Sequence, residues 1–115
     1  MKFRLLLAAL ALAGVVAPAH AETCIASQYG VGDGYHGKRA ANGSIFNTYA
    51  TSPYTVAHKT HRFGTVLTIT NLGNGRSIRA MVTDRGPFVK GRCVDLGRAG
   101  ANAIGMGGTA RVSVE

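Results

Sequence analysis

Val66-Leu67-Thr68-Ile69-Thr70-Asn71-Leu72-Gly73-Asn74-Gly75-Arg76-Ser77-Ile78-Arg79-Ala80-Met81-Val82-Thr83-Asp84 reads as two strands joined by a turn. Val66–Asn71 and Ser77–Asp84 are short and rich in Val, Ile and Thr, the residues that suit a pleated surface. Between them Asn74-Gly75, with Gly73, supplies the positive φ angles that a tight hairpin needs, so the two strands are expected to pair antiparallel. The same composition recurs on both sides. Cys24–Tyr29, Thr55–Ala57, Val94–Leu96 and Ala110–Val114 are further short β-rich segments bounded by turn residues. Arg98 to Ile104 has the Ala-rich composition of one short helix, with Gly105 as its C-terminal stop. The fold class is therefore all-β with one short helix, and no internal repeat or linker divides it.

The segment from Tyr29 to Asn47 breaks this pattern. Gly30, Gly32, Gly34, Gly37 and Gly43 keep its backbone permissive, while Tyr35, His36, Lys38, Arg39 and Asn42 offer polar and aromatic contacts. It reads as a long loop that carries function, the alternative being a mobile surface loop with no site.

The N-terminus has a separate meaning. Met1-Lys2-Phe3-Arg4 is basic, Leu5 to Val16 is apolar, and Ala19-His20-Ala21 has the small residues of a cleavage site. This is the three-part layout of a secretory signal peptide over residues 1–21, leaving 22–115 as one domain. The apolar run is about a dozen residues, too short for a bilayer that needs roughly 20, so no membrane anchor is expected. Ala21-Glu22-Thr23 does not suit the small-residue pattern that precedes a lipidated cysteine, and no lipid anchor is expected either. A periplasmic or secreted location follows. Cys24 and Cys93 are the only cysteines, and an oxidising compartment favours their pairing, with two separate buried thiols as the alternative.

Removing Lys2 and Arg4 from the 13 basic residues leaves 11 against 5 acidic ones, a net charge of +6. Apart from the adjacent Lys38-Arg39, the basic residues are scattered from Lys38 to Arg111, without the stripe or run of a nucleic-acid surface. An anionic wall polymer suits the compartment better, and nucleic acid is not expected as a partner. Of the five acids, Glu22 and Glu115 lie at the ends of the exported part. Acid–base chemistry must then use Asp33, Asp84 or Asp95. That scarcity disfavours a mechanism needing two dedicated, closely paired carboxylates, as most glycoside hydrolases do.

Several collinear segments carry a resemblance. They are Ala26-Ser27-Gln28-Tyr29-Gly30, His36-Gly37-Lys38-Arg39, Ala41-Asn42-Gly43, Ala57-His58-Lys59-Thr60, Asn71-Leu72 with Asn74-Gly75-Arg76-Ser77, Asp84-Arg85-Gly86-Pro87-Phe88, Gly91-Arg92 and Val94-Asp95-Leu96. Together with Gly108-Thr109-Ala110-Arg111-Val112 they resemble the RlpA family of double-psi β-barrels, related to barwin and expansin domains. The resemblance implies a six-stranded double-psi β-barrel. It also implies a lytic transglycosylase that cleaves peptidoglycan glycan strands between N-acetylmuramic acid and N-acetylglucosamine, leaving 1,6-anhydro ends. One carboxyl group can carry that reaction, first protonating the leaving oxygen and then accepting the proton of the sugar's own 6-hydroxyl.

By this resemblance Asp84 is the general acid/base, the plainer alternative being that its carboxylate caps the Arg85-Gly86-Pro87 turn. His58 is the second catalytic candidate, as a residue that orients substrate or tunes the acid, although a lone histidine is more often structural. Asp95 is read as structural. The substrate-binding candidates are Tyr29, Tyr35, His36, Lys38, Arg39, Asn42, Ser44, Lys59, Arg85 and Phe88, the aromatic rings stacking on sugars and the cations meeting muramyl carboxyl or lactyl groups. Ser44 is a departure, because family members often carry glutamate directly after the Asn-Gly that here is Asn42-Gly43. A hydroxyl has no pKa suited to that proton transfer, so the alternative function is a non-catalytic, expansin-like glycan-binding module. His58 and His61 are three residues apart, a spacing that suits metal ligation only on a helix, so neither metal nor cofactor is expected. A monomer is expected.

Overall fold

The computed structural model describes residues 21–115; the expected signal peptide lies outside the described residues apart from Ala21. Six strands close a barrel: β1 (Glu22–Gln28), β2 (Tyr54–His58), β3 (Val66–Asn71), β4 (Ser77–Asp84), β5 (Arg92–Leu96) and β6 (Thr109–Val114). Among the described residues one helix, α1 (Arg98–Ala103), is present, between the last two strands. The order around the barrel is β1-β5-β2-β4-β3-β6. Pairs β1/β5 and β2/β4 are parallel, and the other four are antiparallel. Each parallel pair has one register shift, between Ile25 and Ala26 in the first and between Val56 and Ala57 in the second. Closure leaves no unpaired sheet edge.

The hairpin read from the sequence is β3–β4, with Val66 opposite Met81 and Thr70 opposite Ser77. Alternation along it places Leu67, Ile69, Ile78, Ala80 and Val82 inside. Val56, Val94, Leu96, Val112 and Val114 complete the barrel interior, and Ala101, Ile104 and Met106 close one end. Gly75 has φ +78° at the turn. The turn is also tied to the helix, since the side-chain amides of Asn71 and Asn74 both donate to the Ile104 carbonyl, at 2.8 and 3.0 Å.

Cys24 and Cys93 form a disulfide with a Cα–Cα separation of 5.8 Å, joining β1 to β5 across 69 residues of sequence. Constraining so long a loop in the unfolded chain stabilises by roughly 4 kcal/mol in the chain-entropy model. The crosslink also holds the β1/β5 register that sets Ser27 beside Asp95.

The helix is a turn and a half, and its N-cap, Gly97, has no side chain with which to cap it. The cap comes from far away in sequence. Thr48, fully buried, accepts the Arg98 N–H on its Oγ1 at 2.7 Å and donates that hydroxyl to the Tyr29 carbonyl at 2.7 Å. Its own carbonyl accepts the Ala99 N–H at 3.0 Å. One threonine therefore fastens the start of the long loop to the start of the helix. At Gly30, φ is +103°, and a Cβ would lie 2.5 Å from Thr48 Cβ and 2.7 Å from the Phe46 ring, so only glycine fits where this loop leaves β1.

Candidate functional site at the ends of β4 and β5

Strand register brings two carboxylates together. Ala57 on β2 pairs with Asp84 on one side and with Asp95 on the other, so the acids flank one residue at the C-terminal end of β4 and near that of β5. Both line a cavity of about 370 Å³ whose other walls include Tyr29, Tyr35, Arg39, Arg85, Phe88 and Arg92.

Asp84 is an acceptor for three donors. Its Oδ2 receives the Tyr29 hydroxyl at 2.9 Å, and its Oδ1 receives the backbone N–H groups of Ala41 and Arg85 at 2.9 and 3.0 Å. The long loop thus reaches over the strand end and grips the carboxylate, while Asn42 N–H bonds the Thr83 carbonyl one residue earlier, at 3.1 Å. Local capping by Arg85 N–H and a cleft-facing carboxylate coexist. Tyr29 stacks on Phe46 with ring centroids 4.2 Å apart. Burial, with the Asp84 carboxylate beside it, pushes the Tyr29 phenol well above its ordinary value, so it stays a protonated donor.

Asp95 sits differently. The Ser27 hydroxyl donates to its Oδ1, and burial raises its pKa above the usual aspartate value, with the charges of Asp84 and Asp33 adding to the effect and Ser27 and Arg92 opposing it. A carboxyl that keeps its proton to higher pH is what general acid catalysis needs. On sequence this residue is one of the three available acids and reads as structural; the structure places it on the cavity wall beside Asp84. Asp95 enters the cleft because β5 pairs with β2, a long-range register that no local pattern announces.

Of the residues expected at the site, Tyr29, Tyr35, Arg39, Asp84, Arg85 and Phe88 share the cavity wall. Phe88 is 84 % exposed and Tyr35 56 %, which leaves two aromatic faces open at the rim. The Arg85 guanidinium lies 4.0 Å over the Phe63 ring and donates to the carbonyl of His61 at 2.8 Å. His36, Lys38, Asn42, Ser44, His58 and Lys59 do not line this cavity. Ser44 lies in an exposed turn and donates its hydroxyl to Asn42 Oδ1 at 2.6 Å. His36 Nδ1 accepts the Thr48 N–H at 3.2 Å.

His58 is buried, with both ring nitrogens in use. Nδ1 accepts the N–H groups of Thr60 and His61, each at 3.1 Å, and Nε2 faces Glu22 Oε1 at 3.2 Å. Because Nδ1 is an acceptor, the neutral ring carries its hydrogen on Nε2 and donates it to Glu22. Burial lowers the His58 pKa, with Glu22 opposing that shift. His58 thus shapes the turn over 58–61, in which the His58 and His61 carbonyls accept from Arg85. Among the described residues, one His/Cys/Asp/Glu cluster is compact enough to reach a metal: Glu22, Cys24 and Cys93. The disulfide already uses both of its sulfurs.

A family model described as lytic transglycolase matches residues 22–115. The chain belongs to this family. It is 50% identical over 82 residues to a Synechocystis protein named "Probable endolytic peptidoglycan transglycosylase RlpA", covering 71% of this chain and 24% of that one. It is 45% identical over 103 residues to the endolytic peptidoglycan transglycosylase RlpA of Campylobacter jejuni, covering 88% of this chain and 36% of that one. The chain thus spans about a quarter to a third of the length of these relatives. Among solved structures, the apo expansin of Clavibacter michiganensis superposes with a TM-score of 0.62 at 20% identity, over 83% of this chain and 49% of that one. The Streptomyces papain inhibitor gives 0.61 at 18% identity, over 84% and 94%. These two likenesses establish the fold, the double-psi β-barrel, and nothing about activity.

Proposed function

We propose that this domain is an endolytic peptidoglycan lytic transglycosylase that cuts glycan strands between N-acetylmuramic acid and N-acetylglucosamine and leaves 1,6-anhydro ends. The observation that supports it most is the pair Asp84 and Asp95 in one aromatic-rimmed, cationic cleft, in a chain whose family and relatives carry that activity in their names. Asp84 is the acid/base group facing the scissile bond, oriented by Tyr29 and two backbone donors. Asp95 is the second carboxyl, the one whose burial favours holding a proton. Between them the cleft offers a donor for the leaving glycosidic oxygen and an acceptor for the 6-hydroxyl proton, so no water need be activated. Tyr35 and Phe88 stack on sugar rings, and Arg39, Arg85 and Arg92 meet muramyl carboxylates. His58 is a positioning residue, acting through the turn that holds Arg85.

Its setting follows from the substrate. Residues 1–21 direct export, the domain from residue 22 works as a monomer in the periplasm or outside the cell, and neither a membrane anchor nor nucleic acid takes part. Release of soluble fragments from peptide-stripped peptidoglycan tests the cleft. Asp84→Asn and Asp95→Asn are each expected to lower release by at least about a hundred-fold while the variants still pelleting with the glycan. Release at the unsubstituted rate by both variants would place the chemistry elsewhere.

A second reading is a non-catalytic, expansin-like glycan-binding module. Ser44 favours it, since no carboxylate stands at that turn. A Ser44→Glu variant that gains cleavage where the parent has none would identify a degenerate enzyme; binding without cleavage in both would identify a binder.

A further inference from the structure

A second cavity, of about 450 Å³, has Tyr29 as a lining residue in common with the first. Its wall carries Arg98 as its one charged side chain, and no carboxylate faces that guanidinium across the cavity. The arginine is built in. Its Nε donates to Gln28 Oε1 at 2.7 Å, and Gln28 in turn donates its Nε2 to the Gly107 carbonyl at 2.6 Å. The guanidinium is thereby fixed in direction while, among the described residues, Nη1 and Nη2 have no hydrogen-bond acceptor. An arginine held by Nε with its outer nitrogens unused presents the fork that a carboxylate fits. Val31 and Met106 supply apolar wall, and the exposed Asn102 amide adds a neutral donor and acceptor. A carboxylate on a sugar with an N-acetyl methyl group matches all three features.

We infer that this cavity is a further glycan subsite, continuous with the Asp84 cleft across Tyr29, in which Arg98 takes the lactyl carboxylate of an N-acetylmuramyl residue. The inference rests on the glycan-cleaving reading above and extends it to strand length. A strand engaging both cavities passes Tyr29, and the carboxylate taken by Arg98 makes the domain prefer muramyl glycan over glycan of N-acetylglucosamine alone.

The test uses the Asp84→Asn protein, in which cutting is expected to be slowed enough to measure binding. Calorimetric titration compares a peptide-free GlcNAc–MurNAc tetrasaccharide with the same sugar whose lactyl carboxyls are converted to methylamides. The acid form is expected to bind on the order of ten-fold more tightly, the scale of one charge-assisted hydrogen-bond pair. Arg98→Gln is expected to remove most of that preference. Asn102→Glu, at an exposed position one helical turn after Arg98, is expected to do the same by putting a competing carboxylate in the cavity. Chemical shifts of the Gly107 and Gly108 amides should move with the acid sugar. An unchanged preference in both variants overturns the subsite while leaving the glycan reading in place. Failure of both sugars to bind at all overturns the glycan reading, and the subsite with it.

Discussion

At the scale of the residue, Asp84 and Asp95 differ in what surrounds them. Three donors hold Asp84, whereas Asp95 has the Ser27 hydroxyl and a buried setting that raises its pKa. A carboxyl whose folded pKa lies above its unfolded value favours the folded state at low pH and loses that advantage as pH rises through the folded pKa. Asp95→Asn removes the titration. Thermal melts should therefore show the variant gaining stability relative to the parent as pH rises from about 3 to 7, with a pH-independent difference as the contrary result. Tyr29→Phe keeps the stack on Phe46 and removes only the hydroxyl that reaches Asp84. Turnover should fall roughly five- to ten-fold, as expected for one hydrogen bond of about 1 kcal/mol, with glycan affinity nearly unchanged. Asp84 was singled out by the resemblance at its Asp-Arg-Gly-Pro turn, and its position at a strand end was legible from the sequence; the structure places it on the cavity wall. Asp95 was one of three candidate acids in the sequence, but its place beside Asp84 was not legible, since a local reading of Val94-Asp95-Leu96 sees only an acid before a helix.

At the scale of the element, the strands and the hairpin were readable from Val, Ile, Thr and the Asn-Gly turn, and their observed bounds differ from those expected by two residues or fewer. The long loop was readable as special but not as a clamp. That role depends on Ala41 N–H reaching Asp84, 43 residues away, and on Thr48, whose partners at Tyr29 and Arg98 lie 19 and 50 residues away. No composition signal marks a threonine as the shared cap of a loop and a helix. Thr48→Val preserves its shape and deletes the hydroxyl, leaving a buried carbonyl and N–H without their partner. Chemical denaturation should report a loss of about 2 to 3 kcal/mol, together with reduced turnover because Tyr29 is no longer held. The helix itself is too short to persist alone, so its loss of capping should appear first as faster amide exchange at Ala101 and Ile104.

At the scale of the whole molecule, a closed barrel with a long-range disulfide positions loops from distant parts of the chain over one rim. Replacing Cys24 and Cys93 together by alanine should lower stability by up to roughly 4 kcal/mol. It should also loosen the β1/β5 register on which the Ser27–Asp95 contact depends. The pairing of these cysteines was expected from the compartment, but its mechanical role near Asp95 follows only from the topology. No helix among the described residues is long and apolar enough to cross a membrane.

The central claim, non-hydrolytic cleavage at the Asp84–Asp95 cleft, is tested most directly by digesting peptide-stripped glycan strands in water enriched in oxygen-18 and weighing the new ends by mass spectrometry. The account predicts 1,6-anhydro-muramyl ends that carry no heavy oxygen and that disappear with Asp84→Asn. Reducing ends labelled with oxygen-18, or no new ends from a protein that still binds the strands, would contradict it.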